Sequence, residues 1–212
     1  LPSPERRRAK GQDGFPWLLA RDEREVVDFN RFYGETPSAF IEQIVTGMRR
    51  RTETGRFFVL HNGNAMHGWR GYTGFGKISK VQGLDCISAT SDYGLRAPGY
   101  PGGCDSMPES LGLQGKLFFH EFDYRSHCSP TEFEAMDFGV GRSSDAGMHR
   151  NMLLRESMNM IARGHGIYCM DMSGQWYGDP AIMAGVKDVY GLLRQQLSLT
   201  GPAKAEVAYF LG

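Results

Sequence analysis

The chain has 212 residues, 24 basic against 24 acidic, with 41% hydrophobic residues and a net charge of zero. This length supports one sizeable core, or one core and a fragment. A balanced charge argues against a nucleic-acid or anionic-membrane partner, and no apolar run approaches membrane-spanning length.

Residues 1–20 read as loop, with Pro2, Pro4, Pro16 and a solvated basic cluster, Arg6–Arg8 with Lys10. An opening on Leu1 in Pro-rich irregular sequence is expected of a piece excised from a longer protein. A helix is expected from about Asp22, with Glu25 completing a capping box. Val26, Phe29, Tyr33, Phe40, Ile44 and Met48 recur at spacings of three, four and seven and predict one buried apolar face. Pro37 should kink or split this helix, and Gly55 should stop it.

Four strand-and-helix units follow. Strand one is expected at Phe57 to Asn62, before a short helical segment around Thr73–Val81. Strand two is expected at Leu84 to Ala89, followed by a long Gly- and Pro-rich loop. Ser106 and Glu109 predict a capping box for a brief helix ending near Leu113. Strand three is expected at Lys116 to Glu121. A helix from about Asp145 to Arg163 should bury Met148, Met152, Leu153 and Met160. Strand four is expected at Gly166 to Asp171. Asp179 and Pro180 then start a helix with Ile182, Val186, Val189, Tyr190, Leu193 and Leu197 on its apolar side. Thr200-Gly-Pro202 ends it, and Glu206 to Leu211 reads as a last strand.

Alternating strands and helices predict βαβ units and a parallel sheet. The glycines between Gly71 and Gly76 lack the spacing of a phosphate-binding loop, so nucleotide binding is not expected. A (β/α)8 barrel has eight such units over roughly 250 residues. This chain has four, which predicts about half of a barrel across residues 1–200, with 201–212 a linker and the first strand of a following domain.

Four cysteines, Cys86, Cys104, Cys128 and Cys169, are too widely spaced for a zinc knuckle. Cys86 and Cys169 fall in strands and are expected to be buried thiols. Cys104 and Cys128 lie in loops after strands, where a disulfide is conceivable.

The stretch Gly115 to His127 organises the chain. It begins apolar and ends in His120, Glu121, Asp123, Arg125 and His127. Alternation puts Leu117, Phe119 and Glu121 on one face and His120 on the other. A carboxylate where a parallel strand meets its loop is placed for chemistry as acid, base or nucleophile. A salt-bridged strand end, with Arg125 pairing Glu121 or Asp123, explains the charges equally well. The other strands also end in polar or aromatic groups: His61 and Asn62; Asp92, Tyr93 and Arg96; Asp171, Gln175, Trp176 and Tyr177. Carboxylates, amides, an Arg and aromatics converging on one mouth suit a sugar. The alternatives are local: Trp176 covering the next helix, Tyr93 and Arg96 bracing a loop, Asp171 capping backbone amides.

The stretch from Asp85 to Asp179 resembles the C-terminal half of the catalytic barrel of family-42-type β-galactosidases. The resemblance rests on Asp85 to Gly94, Arg96-Ala-Pro-Gly, Gly102-Gly103, Gly115 to His127 and Gly174-Gln-Trp-Tyr-Gly-Asp-Pro. Pro2-Ser-Pro-Glu and Val27-Asp-Phe-Asn-Arg-Phe resemble the segment between the fourth and fifth strands of that barrel, and Ala205 to Leu211 the start of the second domain. The resemblance implies a retaining glycosidase whose four strands here are the fifth to eighth, with Glu121 as nucleophile and no cofactor or metal. It implies sugar contacts from Asn62, Tyr93, Arg96, Asp123, Arg125, His127, Asp171 and Trp176. The family's acid/base Glu sits on the fourth strand and has no counterpart here. A lone half barrel is therefore expected to be inactive, and to associate with its missing half or with itself. Two other classes remain open: a metal-dependent hydrolase using His61, His120, Glu121, Asp123 and His127, and a non-catalytic carbohydrate-binding or assembly module. A metal shared by His120 and Glu121 would need a bulge to bring them to one face.

Overall fold

The structure, a computed structural model, describes residues 24–52, 55, 57–61, 74–130, 142–172, 174–196 and 198. The expectations for residues 1–23, the Asp22 cap, Asn62, the side chains of Val26 and Leu197, and the final strand lie outside the described residues. The chain forms two units, one of residues 1–58 and 65–84, the other of residues 59–64 and 85–212.

In the first unit, α1 (Arg24–Arg51) is one continuous helix of 28 residues that runs through Pro37 without splitting. Proline removes one backbone donor, a local loss in a helix of this length. The helix seats α2 (Phe75–Ile78) through small residues. Ser38 Oγ donates to the carbonyls of Gly34 at 2.9 Å and Gly74 at 3.2 Å. A Cβ at Gly74 would stand 2.3 Å from the Gly34 carbonyl oxygen, so this contact requires glycine. Phe75, Ile78, Val81, Leu84 and Val45 are buried. The Lys77 ammonium lies 2.7 Å from Glu35, and Arg49 Nε donates to the Gly83 carbonyl at 2.9 Å.

The expected apolar face of α1 is not buried. Phe29, Tyr33, Phe40, Ile44 and Met48 are all exposed. The face that is covered carries Gly34, Ser38 and Val45, roughly a third of a turn away. Periodicity marks an apolar stripe but does not say what covers it.

The second unit is α/β. Four parallel strands stand in sequential order, β1 (Val59–His61), β2 (Cys86–Thr90), β3 (Leu117–Phe122) and β4 (Gly166–Cys169). The expected strands lie within two residues of these bounds. Three helices alternate with them: α3 (Pro108–Leu113), α4 (Ala146–Ala162) and α5 (Pro180–Gln196). Phe122 and Tyr124 pack with Met152 and Leu153 of α4 and Val189 of α5, and Met148, Ile167 and Val186 lie partly buried against them. Met160 is also fully buried, so the Met-rich face of α4 is core, as its spacing predicts. Each of these large side chains contributes about 1.5–3 kcal/mol by leaving water.

Asp145 caps α4, its Oδ1 accepting from the Met148 amide at 2.8 Å, and Gly164 (φ 75°) follows its end. Asp179 caps α5 through Oδ1, which accepts from the Ala181 amide at 2.8 Å. The Ser106 capping box does not form. Pro108 at the first turn makes Met107 the N-cap residue, without a side-chain cap, and Glu109 instead faces Arg163 Nε at 3.2 Å. All four cysteines are free, so Cys104 and Cys128 are not bridged. Cys86 is buried as expected, whereas Cys169 is exposed because β4 is an edge strand of the described sheet.

Candidate active site

The two faces of β3 have different surroundings, and alternation sets which residue meets which. Leu117, Phe119 and Glu121 share one face; Phe118, His120 and Phe122 share the other. Phe122 belongs to the core made with α4 and α5, so His120 points to the helix side and Glu121 away from it.

Register builds the Glu121 side. Thr90, Glu121 and Tyr168 are neighbours across β2, β3 and β4, and His61, Ser88 and Phe119 form the preceding row. Residues paired across parallel strands project from the same face. The Tyr168 hydroxyl donates to Glu121 Oε2. His61 Nδ1 lies 3.7 Å from the same oxygen and 3.1 Å from Ser88 Oγ. The Glu121 side chain is 8% exposed and His61 50% exposed, so the carboxylate is recessed beneath an imidazole that solvent reaches. Burial, then the hydrogen bond to Glu121, raises the Tyr168 phenol above its ordinary value, so it stays a neutral donor.

The loop after β2 meets the end of β3 in a second cluster. Arg96 Nη2 lies 3.0 Å from Asp123 Oδ1 and 3.3 Å from Oδ2, and its Nη1 donates to the Asp123 carbonyl at 3.3 Å. The Tyr93 hydroxyl donates to Asp123 Oδ2 at 2.7 Å. The Arg96 guanidinium also lies over the Tyr93 ring, 3.7 Å from its centroid. Burial, then the Asp123 charge, pushes the Tyr93 phenol up to about 12. Tyr93, Arg96 and Asp123 are thus together; Arg96 and Asp123 are buried, 3% and 6% exposed, and their bonds brace the loop.

The remaining predicted residues are placed apart from these clusters. His127 Nε2 lies 3.0 Å from Asp179 Oδ2, joining the loops after β3 and β4. The Arg125 carbonyl accepts from the Ser143 amide at 3.0 Å. Asp171 caps backbone amides, Oδ1 accepting from Gly174 at 2.7 Å and Oδ2 from Trp176 at 3.1 Å. Trp176 is 2% exposed, so neither face of its ring is open in this arrangement, and its carbonyl accepts from the Ser126 hydroxyl.

The metal-centre residues are divided: His120 on the helix side, Asp123 held by Arg96, His127 paired with Asp179, and only His61 beside Glu121. Among the described residues, no three His, Cys, Asp or Glu side chains are arranged to hold a metal ion.

Behind β3 lies a network that sequence reasoning missed. Glu156 of α4 is fully buried. Its Oε1 accepts from the Tyr124 hydroxyl at 2.8 Å and from Arg155 Nε at 2.9 Å, and its Oε2 from the Gly103 amide at 3.2 Å. The fully buried His120 ring contacts Ser91 Oγ through Nε2 at 3.0 Å. Ser91 gives its single proton to the Glu121 carbonyl at 3.0 Å, so His120 Nε2 carries the hydrogen in this contact. Burial first, then the charges of Arg96, Arg155 and Arg163, push His120 down to about 3, so it is neutral near neutral pH. The missed signal was a charged residue on the apolar face of α4: Glu156 stands four residues from both Met152 and Met160. Tyr168 was missed because its place beside Glu121 depends on register, which spacing within one strand does not give.

No protein-family model, curated protein or solved structure matches the chain.

Proposed function

We propose that the chain is the nucleophile-bearing half of a (β/α)8 barrel of a retaining, β-galactosidase-like glycosidase, with Glu121 as nucleophile. The carrying observation is the setting of Glu121. It is a recessed carboxylate at the C-terminal end of a parallel strand, on the face away from the helices, with one oxygen held by Tyr168. The strand order supports the barrel: successive parallel strands are neighbours without reversal, whereas a doubly wound sheet reverses at a switch point. The galactose preference rests on the sequence resemblance alone.

In this reading, the free Glu121 oxygen attacks the anomeric carbon while the bond to the leaving oxygen breaks and its electron pair departs with that oxygen. Retention needs a second carboxyl about 5–5.5 Å away to protonate that oxygen and later activate water. In this reading that role belongs to the other half of the barrel. Its absence costs typically about 10²–10⁴-fold in rate. Asp123, fixed by Arg96 and Tyr93, contacts sugar hydroxyls. The edge strands β1 and β4 of the described sheet receive the partner half, or a second copy of this chain.

The test is trapping with 2,4-dinitrophenyl 2-deoxy-2-fluoro-β-galactoside. Dinitrophenolate leaves without a proton donor, and the fluorine slows hydrolysis of the glycosyl ester. The purified chain should gain one fluorogalactosyl mass on the peptide containing Glu121, and Glu121→Gln should gain none. Labelling elsewhere, or none, contradicts the proposal.

A further inference from the structure

The loop between β2 and α3 carries Tyr93 and Arg96 and is long, glycine-rich and proline-rich. Such a loop has no intrinsic reason to hold a guanidinium within bonding distance of Asp123. Its own backbone closes part of it, the Gly102 amide donating to the Leu95 carbonyl and the Asp92 amide to the Gly103 carbonyl, both at 3.0 Å, and α4 holds the rest, chiefly through Arg155. Its Nη1 donates to the carbonyls of Ala97 at 3.1 Å and Tyr100 at 2.8 Å, and its Nη2 to the Arg96 carbonyl at 2.9 Å. The same Nη2 reaches the Tyr124 hydroxyl at 3.1 Å. Glu156 fixes the guanidinium from below and takes the Gly103 amide, so the pair grips both ends of the 96–103 segment. The fit is close: a Cβ on Gly102 (φ 72°) would stand 2.0 Å from Glu156 Oε1.

We infer that Arg155, seated on Glu156, is a positioning residue for the proposed sugar site: it latches residues 96–103 so that Arg96 holds Asp123 in its binding geometry. Arg155 touches neither Glu121 nor Asp123 through any described bond. It acts through the backbone of Arg96, whose side chain reaches Asp123 and the Ser91 carbonyl. Arginine is required because three carbonyls, a phenol and a carboxylate are satisfied by one planar fork, and a lysine ammonium has three donors and no such plane. The inference rests on reading Glu121 as nucleophile and Asp123 as a sugar contact.

The experiment measures trapping kinetics by intact mass on the full chain as wild type, Arg155→Met, Arg155→Lys and Arg150→Met. Arg150 lies on the same helix and pairs with Asp188 at the surface, so its variant reports general effects of altering α4. A latch predicts that the inactivator concentration for half-maximal rate rises roughly tenfold in Arg155→Met, the loss of about one good charged hydrogen bond to the ligand. Arg155→Lys should rise less, and Arg150→Met should match wild type. The limiting rate at saturation should change less than the affinity, because Glu121 keeps Tyr168. A merely structural role would lower the fraction of protein that can be labelled and leave the affinity of that fraction unchanged. Hydrogen exchange supplies the second readout: amides of Leu95 to Gly103 should exchange faster in Arg155→Met while those of β3 do not. Unchanged affinity with unchanged exchange overturns the latch and leaves the glycosidase reading standing. Faster exchange in a chain whose wild type never labels Glu121 retains the loop anchor but overturns its assignment to a sugar site.

Discussion

Two adjacent residues, His120 and Glu121, show what separates the two sides of β3. His120 is fully buried, and its Nε2 faces Ser91 and Glu156 inside a closed network tying β3 to α4 and the loop after β2. Glu121 is nearly as buried, but its carboxylate, bonded to Tyr168, lies beneath a half-exposed His61. Enclosure on every side keeps a polar group out of reach; enclosure beside an opening leaves an acceptor oxygen for an incoming group. The comparison teaches that burial alone does not distinguish scaffold from site. The way out does.

Breaking the closed side should have the largest effect. Glu156→Ala strands the Tyr124 hydroxyl, the Gly103 amide and the Arg155 charge and should cost about 3–5 kcal/mol in urea unfolding, with Glu156→Gln costing about 1–3 kcal/mol.

Acid should attack the same side. Both His120 and His149 are lowered by burial, to about 3 and about 4. As pH falls below the ordinary value near 6.5, the unfolded histidines bind protons that the folded ones do not. The stability they contribute is therefore complete above pH 6.5 and is lost progressively down to about pH 4 for His149 and pH 3 for His120. Together the loss should be on the order of several kcal/mol, read from melting temperature against pH, and His149→Phe should flatten the upper part of that fall.

The open side should respond in the opposite sense. Glu121→Gln should change unfolding free energy by no more than about 1 kcal/mol while removing all sugar trapping, and Tyr168→Phe should cost about 1 kcal/mol. A Glu121→Gln loss as large as that of Glu156→Ala would erase the distinction between the sides.

Thiol chemistry gives the smallest test. Burial raises both thiols, Cys86 to about 11, but Cys169 lies at the exposed end of β4 whereas Cys86 is fully buried. A disulfide reagent should modify Cys169 in the native protein and reach Cys86 only after denaturant is added.

The strand-helix alternation, the order of the elements and the opposite faces of His120 and Glu121 were legible in the sequence because each follows from local periodicity. The Asp179 cap was legible from its place before Pro180; the start of α4 near Asp145 was legible, its cap was not named. The exposed stripe of α1 was misread because burial depends on a covering surface that one helix does not encode. Ser106 failed as a cap because Pro108 shifted the start of its helix. In the candidate site, Tyr93, Arg96 and Asp123 were singled out from their positions at strand ends, but not their bonds to one another. Tyr168 and the Arg155–Glu156 pair were not, because the first needs strand register and the second needs the tertiary approach of α4 to a loop some fifty residues away in sequence.

The most direct test of Glu121 as nucleophile is the product formed from 2,4-dinitrophenyl β-galactoside in azide. Azide needs no general base, so it can attack the glycosyl ester without the missing acid/base, breaking the ester bond and restoring the Glu121 carboxylate. Two inversions predict β-galactosyl azide, identified by nuclear magnetic resonance, at a rate that rises with azide and vanishes in Glu121→Gln. The α-azide, or β-azide formed equally well by Glu121→Gln, would contradict the account.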